Sequence, residues 1–174
     1  MHQHGVGESD DLERLWTPYR MAYIRGGARP TGSSAEECPF CQVPQLPDAE
    51  GLVVHRGVTA YVVLNLFPYT AGHLMICPYR HIPDYTDTTD AEVSEIGALT
   101  KQAVEVLRTV SRAEGFNLGM NQGLAGGAGI RAHLHQHVVP RWLGDANFMP
   151  IIGRTKTLPQ LLGETRDLLA EAWS

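Results

Sequence analysis

His133-Leu134-His135-Gln136-His137-Val138-Val139-Pro140-Arg141 is the stretch from which the fold can be read. Three histidines at every second position, followed by β-branched residues, fit a strand: side chains alternate between faces, so all three imidazoles point the same way. Leu134 and Val138 then occupy the opposite, apolar face. Imidazole binds metals, carries protons and attacks electrophiles near neutral pH, so the shared face is expected to be reactive rather than core. The bland alternative is a solvated edge strand with incidental histidines. Three of them beside a glycine-rich loop argue against it, and an interrupted, internal cluster is no affinity tag.

That loop is Asn121-Gln122-Gly123-Leu124-Ala125-Gly126-Gly127-Ala128-Gly129-Ile130. Small residues let a backbone approach a ligand closely, and successive free amides, here those of Gly127, Ala128 and Gly129, form a nest for an anion. Alone, the loop reads as a connector; feeding a histidine face, it reads as a phosphate site. Phosphate beside a neutral imidazole invites attack of nitrogen on phosphorus, with neighbouring imidazoles supplying charge or a proton.

Working outward, Leu52–Val54 and Ala60–Leu64 flank a turn around Arg56-Gly57 and predict a hairpin, with Val62 and Leu64 on one face and Tyr61 and Val63 on the other. Gly72–Cys77 resumes a strand before Pro78. Asp87–Asp90 supplies N-cap candidates for a long helix in which Val93, Ile96, Leu99, Ala103, Val106, Leu107 and Val110 recur at helical spacing and cover the sheet. Gly115 is expected to end it, with Phe116–Asn121 as the next strand. A last helix is expected from Leu158 to Trp173, with Leu161, Leu162, Thr165, Leu168 and Leu169 on one side. At the other end, Asp10–Ile24 predicts a short helix broken near Pro18, and Gly26–Glu37 a mobile loop. A meander covered on one face is an α+β pattern.

The 174 residues suit one domain, and a net charge of −5 provides no field for a nucleic-acid polymer. No apolar run approaches the roughly 20 residues that span a bilayer, and the polar start is no signal peptide, so the cytoplasm is the expected location. Cys38 and Cys41, at C-x-x-C spacing, read as a metal or a redox pair; Cys77, in an apolar strand, reads as a buried hydrophobe. His2, His4 and His55 are expected to be solvated.

His133-x-His135-x-His137-Val-Val-Pro-Arg resembles the signature of the histidine triad (HIT) superfamily of nucleotide hydrolases and transferases. Gly72-His73-Leu74 leading to Cys77-Pro78-Tyr79-Arg80-His81, Leu15–Met21 and Gly144–Phe148 resemble further stretches of its fragile-histidine-triad branch, especially actinobacterial diadenosine tetraphosphate phosphorylases. The resemblance implies a single HIT domain over 1–174, with an N-terminal helix and loop (1–37), a core (38–150) and a C-terminal helix (151–174). It implies a homodimer, a five-stranded antiparallel sheet in each protomer, and no organic cofactor. His135 is then the nucleophile that forms a nucleotidyl intermediate, His137 contacts phosphate or holds geometry, and His73 is either site-adjacent or a structural histidine. Asn65 falls where the ribose is met and Asn121 where a polar side chain approaches phosphates.

The resemblance also implies a structural zinc on Cys38, Cys41, His81 and His133, a closed tetrahedral set. One departure stands out: where the family usually places Gln or Ser, four residues before the first triad histidine, this chain has Gly129. The expected reaction is cleavage of a diadenosine polyphosphate, with inorganic phosphate or water as acceptor. The alternatives are phosphoramidate hydrolysis and a zinc-stabilised nucleotide-binding module.

Overall fold

The computed structural model describes residues 34–145 and 160–173. The expected N-terminal helix, residues 26–33 of the expected loop and the start of the last helix at Leu158 lie outside them. Residues 34–37 form a turn.

Five strands form one antiparallel sheet: β1 (Val53–Arg56), β2 (Ala60–Leu64), β3 (Leu74–Pro78), β4 (Gly115–Met120) and β5 (Gln136–Arg141), in the order β1-β2-β3-β5-β4. Around it lie the short turns α1 (Pro39–Gln42) and α2 (Asp48–Gly51), the long α3 (Asp90–Ser111) and α4 (Leu162–Glu171). The alternation in β2 sorts as expected. Val62 and Leu64, with Leu74, Ile76 and Val138, meet Ile96, Leu99, Ala103, Val106 and Leu107 of α3 in the main core. Tyr61 and Val63, with Met75 and Cys77, pack instead against Cys38 and Phe40. Burying aliphatic side chains between sheet and helix stabilises such a layer by roughly 1.5–3 kcal/mol each. Cys77 is fully buried.

Five expectations change in detail, while the helix cap falls within the expected range. The strand that carries the histidines begins at Gln136, not His133, because its pairing with β3 ends at Ile76↔Gln136. Pro78 has no N–H to extend that ladder; the Leu134 N–H goes to the Ile82 carbonyl instead, at 2.7 Å. The long helix is capped by Thr89, which forms a capping box with Glu92. It ends through Arg112 in a left-handed conformation (φ 52°), while Gly115 opens β4. Val93 is exposed; the adjacent Glu92 is buried, held by Arg80 at 2.8 and 2.7 Å. In α4, Thr165 and Leu169 are buried but Leu161 and Leu168 are exposed, so its apolar stripe is narrower than expected. His55 is half-buried, stacked on Trp173 at 5.5 Å. Among the described residues no helix is long and apolar enough to cross a membrane.

Candidate active site and metal centre

The three imidazoles do share one side of the chain, and neighbouring rings touch: His135 and His137 lie 4.9 Å apart, and His133 lies 5.4 Å from His81. They are not a solvated face, since His133 is 1 % and His135 6 % exposed. Each finds a different partner, and the partner fixes which nitrogen carries the proton.

A carbonyl oxygen only accepts, so a ring nitrogen in contact with one must donate. His135 Nδ1 lies 2.8 Å from the His133 carbonyl and therefore carries the hydrogen, which leaves Nε2 with its lone pair. His133 Nε2 donates to the Pro78 carbonyl at 2.9 Å, so its Nδ1 is bare. On β3's flank, His73 Nδ1 receives the Tyr69 N–H at 3.1 Å and the Asn65 amide at 3.2 Å. Its Nε2–H is thus directed at His137 Nδ1, 2.9 Å away. His137 in turn presents Nε2–H.

The protonation states agree with this wiring. Burial holds His135 below the ordinary histidine range, and burial together with the neighbouring His135 lowers His137 to about 4. Neutral His135 with a free Nε2 has the lone pair a nucleophile needs, and neutral His137 with Nε2–H can donate a hydrogen bond.

Bare His133 Nδ1 faces two thiols, Cys38 Sγ at 3.4 Å and Cys41 Sγ at 3.5 Å, and Cys41 Sγ is 3.3 Å from His81 Nδ1. One ligand atom from each of the four lies within 4.8 Å of the others. With Zn–S of about 2.3 Å and Zn–N of about 2.0 Å, the S–N edge of a tetrahedron is about 3.5 Å, which the three sulfur–nitrogen separations match, so this set could hold zinc. Burial and the neighbouring Cys38 push the Cys41 thiol up to about 11, so it keeps its proton until a cation displaces it. The Pro78 carbonyl orients His133 in the manner usual for ligating histidines.

Asn65 is engaged locally: its Oδ1 accepts the Phe67 N–H at 2.9 Å while its amide serves His73. Asn121 lines a cleft of about 1110 Å³ together with His137, Gly119, Tyr69 and Arg141. In the glycine-rich loop the Gly127 and Ala128 amides bond back to Leu124 and Gly123, so two of the expected nest donors are taken within the loop. Gly129 presents open space beside its α-carbon.

Sequence reasoning missed two residues. Phe40 packs its ring 4.8 Å from His135, and its only signal was its place inside C-x-x-C. Tyr69, in a stretch that merely interrupts the strand pattern, lies 4.7 Å from His73 and 6.0 Å from His137.

Comparison with known proteins points to one family. The family model described as "HIT domain" matches residues 48–142. The chain is 52 % identical over 173 residues to a Mycobacterium tuberculosis protein named "AP-4-A phosphorylase", spanning 98 % of this chain and 89 % of the relative. Among solved structures, a zinc-bound histidine triad family protein from Mycobacterium smegmatis is 28 % identical with a TM-score of 0.65, covering 80 % of this chain and 95 % of the other. A histidine triad nucleotide-binding protein from Sulfolobus tokodaii, 23 % identical with a TM-score of 0.64 over 78 % of this chain and 91 % of its own, shares the fold.

Proposed function

The chain belongs to the HIT domain family, and from that premise we propose that it is a nucleotidyl transferase that cleaves diadenosine tetraphosphate, with inorganic phosphate as the acceptor. The observation that carries the chemistry is the hydrogen bond from His135 Nδ1 to the His133 carbonyl, which leaves Nε2 free to attack. The kinship that favours phosphate over water is the 52 % identity to the "AP-4-A phosphorylase" of Mycobacterium tuberculosis.

His135 Nε2 attacks the phosphorus bonded to one adenosine. A P–N bond forms as the P–O bond to the remaining chain breaks, and ATP leaves. His137 donates Nε2–H to a phosphate oxygen, where developing negative charge is stabilised, and His73 keeps that hydrogen pointing outward. Phosphate oxygen then displaces the histidine, giving ADP and restoring Nε2. Asn121 and the Gly129 amide serve phosphate oxygens. Asn65 acts through His73 and meets the ribose only if it leaves its present partners.

Cys38, Cys41, His81 and His133 would hold one zinc, a structural metal that would staple the α1 turn to the sheet and take no part in the chemistry. The protein works as a homodimer, a reading supported by the exposed edge strand β4, where Leu118 is half exposed. Three cysteines outside any disulfide, two of them in the metal set, favour a reducing, cytoplasmic setting.

The test is product analysis with diadenosine tetraphosphate, with and without phosphate, on wild type and His135→Ala. ADP with ATP, formed only when phosphate is present and only by wild type, is expected. AMP with ATP regardless of phosphate makes the protein a hydrolase, and turnover by His135→Ala removes the nucleophile assignment.

A further inference from the structure

We infer that Phe40 is a positioning residue for the nucleophile, locked in place by the metal-binding turn that carries it. Only the kinetic arm of this inference rests on the nucleotidyl-transfer reading.

One hydrogen bond does not hold an imidazole. The torsion that turns a histidine ring is broad, so His135 can rock about its bond to the His133 carbonyl and move Nε2 off line. Three contacts restrict it: that hydrogen bond, the edge of His137 at 4.9 Å and 75°, and the Phe40 ring at 4.8 Å and 42°. Phe40 also touches the His133 ring at 5.5 Å, so it braces the residue whose carbonyl orients the nucleophile.

Phe40 is itself fixed from three directions. Cys38 and Cys41 flank it in α1, and both belong to the metal set. The Tyr61 hydroxyl donates to its carbonyl at 2.7 Å from β2. Its ring is 6 % exposed, packed with Val53, Val63 and Met75. Metal occupancy and nucleophile geometry therefore meet in one side chain. Loss of the metal removes one of the three restraints on the turn and so loosens the ring that restrains His135.

Phe40→Ala and Phe40→Leu are compared with wild type in kcat, KM, metal bound per chain and the proton resonance of His135 Nδ1–H, which is assigned by its disappearance in His135→Asn. For Phe40→Ala a fall in kcat of about tenfold or more is expected with KM within about twofold, as displacement of a nucleophile requires. The Nδ1–H resonance broadens or vanishes, metal content is retained, and Phe40→Leu lies between. Wild-type kcat, or a change confined to KM, with the resonance intact overturns the inference. If Phe40→Ala fails to fold or loses its metal, Phe40→Leu decides by the same two readouts. The resonance needs no substrate, so it remains decisive if wild type fails to turn over diadenosine tetraphosphate. Wild-type metal content reads the zinc assignment separately.

Discussion

Replacing His73 by Phe preserves an aromatic ring of similar breadth at a site with no exposure, and removes both ring nitrogens. Three groups lose a partner: the Tyr69 N–H, the Asn65 amide and His137 Nδ1. A polar group left unpaired in a partly buried setting costs roughly 1 kcal/mol or more, so the variant should be less stable by about 3 kcal/mol in urea denaturation. Catalysis should fall further than stability explains. Without a donor facing His137 Nδ1, either nitrogen of that ring can carry the hydrogen, and the Nε2–H donor is no longer guaranteed. Proton-positioning groups of this kind are worth about 100-fold or more, and kcat should drop by that order with KM nearly unchanged. His73→Gln, which offers both an acceptor and a donor, should recover part of the loss. A His73→Phe protein with wild-type kcat and an unshifted denaturation midpoint would falsify the chain of tautomers.

Acid should act late. His137 is held at about 4 by burial and by His135, below the ordinary value near 6.5. The active neutral form thus persists as pH falls through 6.5 and is lost as pH approaches 4, which a kcat–pH profile reads. Over the same window the unfolded chain binds protons the native one refuses, so stability present above pH 6.5 declines towards pH 4 in denaturation experiments. Glu92 titrates lower still: the Arg80 guanidinium beside it, with the Thr89 backbone and hydroxyl, holds its carboxyl down to about 2. Its contribution is present above about pH 4.5 and lost as pH falls towards 2; Glu92→Gln should remove that dependence and lower stability by about 1 kcal/mol through the cap. Cys41→Ser should lose the bound metal, measured by elemental analysis, and lower Tm, whereas Cys77→Ser should keep the metal.

What the sequence made legible was whatever depends on alternation and spacing. Val62 and Leu64 had to part from Tyr61 and Val63, and the periodic stripe of α3 had to find a sheet. The four candidate metal ligands came from the family pattern, as C-x-x-C alone left a redox pair open; the structure brings them together from three separate segments. Other features depend on contacts that no local pattern encodes. Gly115 looked like a helix stop, but Arg112 adopts the left-handed turn itself and frees the glycine for the strand. Val93 fitted the stripe, yet Arg80 on a distant loop draws its neighbour Glu92 inward. The loop amides looked free because a sequence cannot show that Gly127 and Ala128 bond back to Leu124 and Gly123.

The alternation of His133, His135 and His137 made the three look equivalent, and the division of labour among them follows from where β3 stops. His137 lies opposite Met75 within the ladder, so its ring stands beside the strand that His73 precedes, and it becomes the second member of a relay. Past Ile76↔Gln136 the ladder ends. The Pro78 carbonyl, relieved of a backbone partner on that side, takes the His133 Nε2–H and turns Nδ1 towards the thiols. The His133 carbonyl in turn takes the His135 Nδ1–H and leaves Nε2 bare. The roles proposed for them, metal ligand, nucleophile and donor, thus rest on two carbonyls and one neighbouring imidazole. A shift of one residue between β3 and β5 would turn His137, the triad ring inside the ladder, to the opposite, apolar face. The proline that ends β3 is therefore as much a determinant of the chemistry as the histidines, and it acts through the hydrogen bonds it cannot make.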